Sequence, residues 1–424
     1  MGGKDDVFAK CAKRLIPLMV VLYVVNFIDR VNVGFAALTM NKDLAFAPSV
    51  YGAGAGALFV GFFAFAVPST VVLERIGARY WLFATLVVWG ALSAATALIR
   101  TPFEFYGLRF LVGAAEAGFI PGMIVYLTYW FPQAYRARFG AGFLIAQPLA
   151  FIIGSPISGF ILGMDGVLGL KGWQWLFVLE GLPSALLGCV ALVLLSDGPA
   201  DARWLTAEEK REIAVQLSTE AHQAEHSDLW RGLFDLRVVA IGLVNFGILF
   251  GLYGTTLWLP QIVQAMGFST LATSFIVALP FIAAVPAMIA WGLSSDRRAE
   301  RIWHVALPLL AAAAAFLVAS ASASETVSLI AISAAVIAIY PVLAPIINLP
   351  KSFLAGAAGA AGTALCYAIG SLGAFFGPSM IGILKEATGG YSAAMAALSA
   401  ALVIAALITL GLGRALAERK VQFS

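Results

Sequence analysis

Apolar stretches of about twenty residues, each long enough to cross the roughly 30 Å hydrocarbon core of a bilayer, recur twelve times along this chain. They fall at 15–39, 50–73, 80–99, 103–130, 139–162, 173–195, 238–264, 270–293, 303–321, 327–349, 353–384 and 391–413. No soluble domain of 424 residues hides a chain that is 61% hydrophobic and only 12% charged, so the class is a polytopic, all-α membrane protein. The net charge of +3 is small and dispersed around the apolar runs, which argues against a nucleic-acid partner. Cys11, Cys189 and Cys366 match no metal or redox spacing and read as three small packed thiols. The first apolar run is too long for a signal peptide and is expected to stay as an anchor.

The polar stretch 196–237 divides the runs six and six, giving a first half at 1–195 and a second at 238–424. Within it Thr206 and Glu209 have the spacing of a capping box, which predicts a short amphipathic helix over 205–217. Of the 26 Lys and Arg residues, 20 lie on the face that carries both termini and 4 on the other. That bias predicts cytoplasmic termini.

The two halves echo each other. Glu74, Arg75, Gly77 and Arg79 follow the second run, and Asp296, Arg297, Ala299 and Arg301 follow the eighth, 222 residues on. Repeated halves with a binding site near the membrane midplane are a design of secondary transporters. The charged loops also have a mechanical reading. Glu74, Arg75, Arg79, Asp296, Arg297 and Arg301 sit at helix ends where they can hold a neighbouring helix terminus and gate the cytoplasmic side.

Four ionisable residues inside the first half need a reason, since an isolated charge at mid-bilayer costs at least ~2.5–3.5 kcal/mol. They are Asp29, Arg30, Arg109 and Glu116. Asp29 and Arg30 are sequence neighbours about 100° apart on a helix and cannot share a face. Asp29 lies roughly 20 Å along its span, at ~1.5 Å per residue, and Arg109 enters from the opposite side to a similar level. The expectation is an Asp29–Arg109 pair in at least one state, with Arg30 left to receive an anion through a two-pronged guanidinium. Glu116 lies seven residues after Arg109 in the apolar stretch "GAAEAGF", where burial favours a neutral carboxyl, so it is a candidate proton carrier. Gln147, Tyr253, Trp258, Tyr367 and Ser371 are candidates to line the cavity, Tyr367 and Ser371 lying one turn apart. Asn348 reads as a cap or gate, and Glu180 as a structural tie to loop arginines such as Arg136 or Arg138. His222, His226 and His304 receive no metal or proton role. No nucleophile elbow, P-loop or metal spacing points to an enzyme.

The charged loop and its echo, with twelve runs split six and six, resemble the major facilitator superfamily. "NFIDRVN" (26–32), "LRFLVGAAEAGFIPGMIVYLTYWFP" (108–132), "GWQWLFVLEGLPS" (172–184) and "LYGTTLWLPQIV" (252–263) narrow the resemblance to its anion:cation symporter family, near tartrate- and aromatic-acid-transporting members. The resemblance implies two pseudo-symmetric six-helix bundles, a bacterial inner membrane, a monomer without cofactor, and import of a small carboxylate by proton symport through alternating access. A proton-independent facilitator or exchanger is the alternative. The resemblance also implies protonation at Asp29 and Glu116, a carboxylate anchor at Arg30 and a substrate contact at Gln147. The chain departs from the family at Thr70, where the loop motif has Gly, and at Tyr367 and Ser371, where many relatives carry Asn. The departure at Tyr367 and Ser371 points away from a polyhydroxy acid, and one positive site with many nearby aromatics favours a monocarboxylate or aromatic acid over a sugar acid.

Overall fold

The computed structural model describes residues 4–223, 235–350, 353–354 and 356–422. Twelve helices among them are long and apolar enough to cross a membrane. The first half contains α1 (Lys4–Asp43), α2 (Pro48–Ile76), α3 (Ala78–Ala95), α4 (Pro102–Glu116), α5 (Phe119–Thr128), α6 (Gln133–Leu162) and α7 (Gly172–Leu194). The polar helix α8 (Ala207–Gln223) follows. The second half contains α9 (Leu236–Ala265), α10 (Thr270–Arg298), α11 (Ile302–Ala321), α12 (Glu325–Ile339), α13 (Leu343–Asn348), α14 (Gly356–Thr388) and α15 (Ser392–Gln422).

The expected twelve runs are present, with three changes of outline. The first helix begins well before 15, because the segment from Val7 packs Val7, Phe8 and Cys11 into the first half's own core. The fourth run is two helices. Pro121 has no N–H for the Ala117 carbonyl, and the helix breaks at Ala117–Gly118, directly after Glu116. The tenth run breaks at the 3₁₀ turn Tyr340–Val342, where Pro341 has the same effect. Of the cysteines, Cys11 and Cys366 are packed as expected, but Cys189 is exposed.

Local chemistry sets the helix ends. Thr101 and Glu104 form a reciprocal capping box behind Pro102 at the start of α4. Thr206 and Glu209 form the box expected at the start of α8, with Glu209 N–H donating to Thr206 Oγ1 at 3.2 Å and Thr206 N–H to Glu209 Oε2 at 2.7 Å. Between α2 and α3, Gly77 takes φ 81°, a conformation that side chains disfavour. Its counterpart in the second copy, Ala299, also has positive φ, at 50°. The two turns differ in ψ, 153° at Gly77 and 31° at Ala299, so the repeat is one of charge and of a positive-φ helix stop, not of identical backbone shape.

Within each half the helices approach through glycine. Gly61 and Gly113 bring α2 and α4 into backbone contact, and Gly373 and Gly377 seat α14 on the backbone of α9. The halves meet along α2 with α14, α6 with α10, and α1 with α9. At the end opposite the termini they are tied together. Tyr51 Oη donates to Leu257 O at 2.6 Å, Asn41 Nδ2 to Gln261 Oε1 at 3.2 Å, and Ser49 N–H to Glu386 Oε2 at 3.1 Å. Phe151 stacks on Phe281 with centroids 4.0 Å apart.

Candidate substrate and proton site

A small cavity lies between the halves. Arg30, Phe59 and Phe62 line it from the first half, and Leu249, Tyr253, Tyr367 and Ser371 from the second. Phe59 and Tyr253 close on each other with centroids 4.3 Å apart, and Phe62 and Tyr367 at 6.0 Å. The cavity thus has an aromatic wall, one cation, two phenols and a hydroxyl. Such a lining suits a small anion with a flat or apolar body.

Arg30 is buried and committed. Its Nε and Nη2 donate to Glu116 Oε2 at 2.9 and 2.6 Å. Nη2 also reaches Asn26 Oδ1 at 3.4 Å. The guanidinium lies over the rings of Phe27 and Phe62, 4.8 and 5.6 Å from their centroids. The Tyr367 hydroxyl sits beside it. The Arg30–Glu116 pair was not foreseen from the sequence, which placed the two in separate roles. Glu116 closes α4 seven residues after Arg109, on the same face, and that face is packed against α1 at the level of Arg30.

The expected Asp29–Arg109 pair is not formed in this state. Asp29 Oδ1 accepts from Ser93 Oγ on α3 and from Asn32 Nδ2 at 3.0 Å. Arg109 Nη2 donates instead to the backbone carbonyl of Arg30 at 3.3 Å, and its Nε and Nη1 have no partner. Arg109 does reach α1 at the expected depth, but hydroxyl and amide donors already hold Oδ1 of Asp29. The ~100° offset between neighbours separates Asp29 from Arg30 as expected: the base faces the cavity and the acid faces the interior of the first half.

The remaining candidates divide. Tyr253, Tyr367 and Ser371 line the cavity as expected. Gln147 sits beside the Tyr23 hydroxyl. Trp258 does not line the cavity. It is fully buried, its Nε1 donates to Pro378 O at 3.0 Å, and its ring meets Tyr51 edge-on, so it belongs to the seal between the halves. It lies five residues beyond Tyr253, one and a half turns nearer the sealed end. Asn348 donates to its own helix at Ala344 O.

Glu180 also departs from expectation. It lies eight residues into α7, in the half of that helix away from the termini, and Glu180 Oε1 accepts from Ser158 Oγ at 2.8 Å instead of from a loop arginine. The Arg138 and His222 side chains and His226 lie outside the described residues. His304 bonds Glu300 through Nδ1 at 2.7 Å and meets Ser294 through Nε2 at 3.1 Å. In the loop between α10 and α11, Glu300 is partly desolvated, yet the N–H groups of Trp303 and His304 hold its carboxyl below the usual range.

Of the charged-loop residues, Arg79 does hold a helix terminus. Its Nε and Nη2 donate to Leu192 O near the end of α7 at 3.0 and 2.6 Å, and Nη1 to Asp197 at 2.9 Å. In the second copy Arg301 bonds Asp296 and Ser295, each at 2.6 Å. Both ties are made inside one half, not across the two, so in this state they brace each bundle. Glu74, Arg75 and Arg297 are exposed at the same two corners.

The sequence profile of the Major Facilitator Superfamily matches residues 19–378. A protein of Agrobacterium vitis, whose name assigns it provisionally to tartrate transport, is 45% identical over 97% of this chain and 96% of its own length. The inner membrane transport protein RhmT of Escherichia coli K12 is 36% identical, with 98% of each chain covered. Among solved structures, a bacterial homologue of the lysosomal transporter Spinster, inward-facing and occupied, superposes with a TM-score of 0.78 at 18% identity over 94% of this chain and 96% of that one. A D-xylose–proton symporter gives 0.74 at 15% identity over 93% and 96%. At those identities the structural likeness speaks for the fold alone.

Proposed function

The chain belongs to the Major Facilitator Superfamily, a multi-pass membrane transporter and not an enzyme, and from that premise we propose that it imports a small organic anion together with protons by alternating access. The observation that carries the reading is the buried pair of Arg30 and Glu116 at the cavity wall. A guanidinium held by a carboxylate is a poor receptor for a second carboxylate. Protonating Glu116 removes the competing charge and frees Nε and Nη2 of Arg30 for a carboxylate of the incoming anion. Proton and anion then enter together or not at all, because either alone leaves an uncompensated buried charge, a state costing about 3–5 kcal/mol.

Asp29 and Glu116 are the proton-binding residues in this scheme. Arg109 compensates Asp29 when it is ionised, its unpartnered Nε and Nη1 being the available donors. Tyr253, Tyr367, Ser371 and Gln147 select the body of the anion. The bundles at 1–195 and 238–424 rock about the cavity, joined by the linker at 196–237, with both termini in the cytoplasm of a bacterial inner membrane and the protein acting as a monomer. The provisional tartrate name of the Agrobacterium vitis relative supports an organic acid as cargo. The aromatic wall favours a monocarboxylate or aromatic acid over a polyhydroxy acid.

Purified protein is screened by thermal shift against carboxylates from tartrate to benzoate, and the best stabiliser is followed as uptake into proteoliposomes. Uptake accelerated by an inward proton gradient supports symport. Uptake indifferent to that gradient supports the facilitator.

A further inference from the structure

The mechanism leaves one buried acid without work. Glu180 is 5% exposed, sits in the membrane interior, and has a single hydroxyl donor, Ser158 Oγ. Asn32, the amide that donates to Asp29 Oδ1, also lies against the Glu180 carboxyl. Asp29, Asn32, Ser93, Ser158 and Glu180 therefore form one polar cluster between α1, α3, α6 and α7, on the side of α1 turned away from the Arg30 cavity.

The cluster is short of donors. Asp29 Oδ2, Glu180 Oε2 and Asn32 Oδ1 are all buried and all lack a hydrogen-bond partner. Among the described residues, the charged or titratable group facing Glu180 is Asp29 from α1, while Ser158 on α6 is a hydroxyl. Facing Asp29 are Glu180 from α7 and, from α4, Glu116 and Arg109, whose hydrogen bond goes to a backbone carbonyl. Two ionised carboxylates in such a place would lack both solvent and a bonded cation. One proton supplies a donor where three acceptors have none, and it removes one of two like charges.

We propose that Asp29 and Glu180 share a proton, forming a proton-binding site inside the first half that is separate from the Arg30–Glu116 pair. This rests on the symport reading for its use: with Glu116 as the first proton site, the shared site is a second, and more than one proton accompanies each anion. Glu180 touches no substrate. It acts through Asp29, as a positioning residue and proton store.

Infrared difference spectra of the purified protein in lipid, recorded as the pH is stepped, read the C=O stretch of protonated carboxyls. Carbon-13 labelling of Glu or of Asp in the Glu116→Gln protein assigns the bands, and Glu180→Gln tests the assignment. The expected result is a titrating Glu band in Glu116→Gln that disappears when Glu180→Gln is added, with its midpoint displaced by Asp29→Asn. A protein without any such Glu band, or a midpoint unmoved by Asp29→Asn, overturns the proposal. The labelling alone gives the answer if Glu180→Gln does not fold. Uptake of radiolabelled L-tartrate and benzoate is measured in parallel. Gradient-independent uptake with the titrating band intact sinks symport and leaves the proton site standing. Gradient-driven uptake without the band sinks the shared site alone.

Discussion

Arg30 places two N–H groups on a single oxygen of Glu116, at 2.9 and 2.6 Å, and leaves the other oxygen, Oε1, buried without a partner. The pair is thus strong but half-satisfied. Ordinary bidentate pairing would engage both oxygens. The unused acceptor is where a proton can be added without first breaking the pair.

Replacing Glu116 with Gln keeps the shape and removes the titration. Carboxylate binding should no longer need acid, and uptake should lose its pH dependence while exchange across the membrane persists. Uptake of the thermal-shift hit, measured across pH with and without a gradient, is the check. A retained pH profile removes Glu116 from the coupling scheme.

Arg30→Lys retains the charge and loses the planar fork. Affinity for the carboxylate should fall by about 1–3 kcal/mol, roughly 5- to 150-fold. Isothermal titration reads this directly. Equal affinity would show that the anion does not dock on Arg30.

Gly56 lies at the α2–α14 contact, where a Cβ would come within 2.7 Å of the Phe375 carbonyl. Gly56→Leu should force the sealed end apart and weaken the Tyr51–Leu257 bond beyond it. A cysteine introduced at Gln261 should then label several-fold faster with a membrane-impermeant reagent. Unchanged labelling would show that this seal does not depend on glycine packing.

Lys10 Nζ holds both oxygens of Glu209, at 2.8 and 2.9 Å, and so ties α8 to α1. That partner keeps the Glu209 carboxyl below its ordinary range. The sign follows: the tie is present at and above the ordinary glutamate value of about 4.3 and is lost as pH falls through the lower value of the folded protein. Limited proteolysis within 203–223 should rise at that acid limit, and Glu209→Gln should show the raised rate already at neutral pH.

Arg79 caps α7 with two bonds to Leu192 O. Arg79→Ala should cost about 1.5–3 kcal/mol, seen as a lower Tm in detergent, with a smaller loss for Arg79→Lys.

The membrane class, the twelve spans and the six-and-six division were legible in the sequence, because a bilayer admits few solutions and each span carries its own signal. The repeat was legible because the pattern acid, Arg, small residue, Arg recurs at the same spacing 222 residues on. The capping box at Thr206 was legible for the same reason: all its partners lie within three residues. That Asp29 and Arg30 face different ways was fixed by helical geometry alone.

Tertiary structure decided which buried groups meet. Arg30 finds Glu116, 86 positions away, because one face of α4, carrying both Arg109 and Glu116, packs against α1. Ser93 and Asn32, not Arg109, hold Asp29. Glu180 takes its hydrogen bond from Ser158, and Trp258 seals the halves where Tyr253, five residues earlier, lines the cavity. Each of these is a matter of rotation and depth between helices distant in sequence. Periodicity gives the face of one helix, but which neighbour covers that face depends on how all twelve pack.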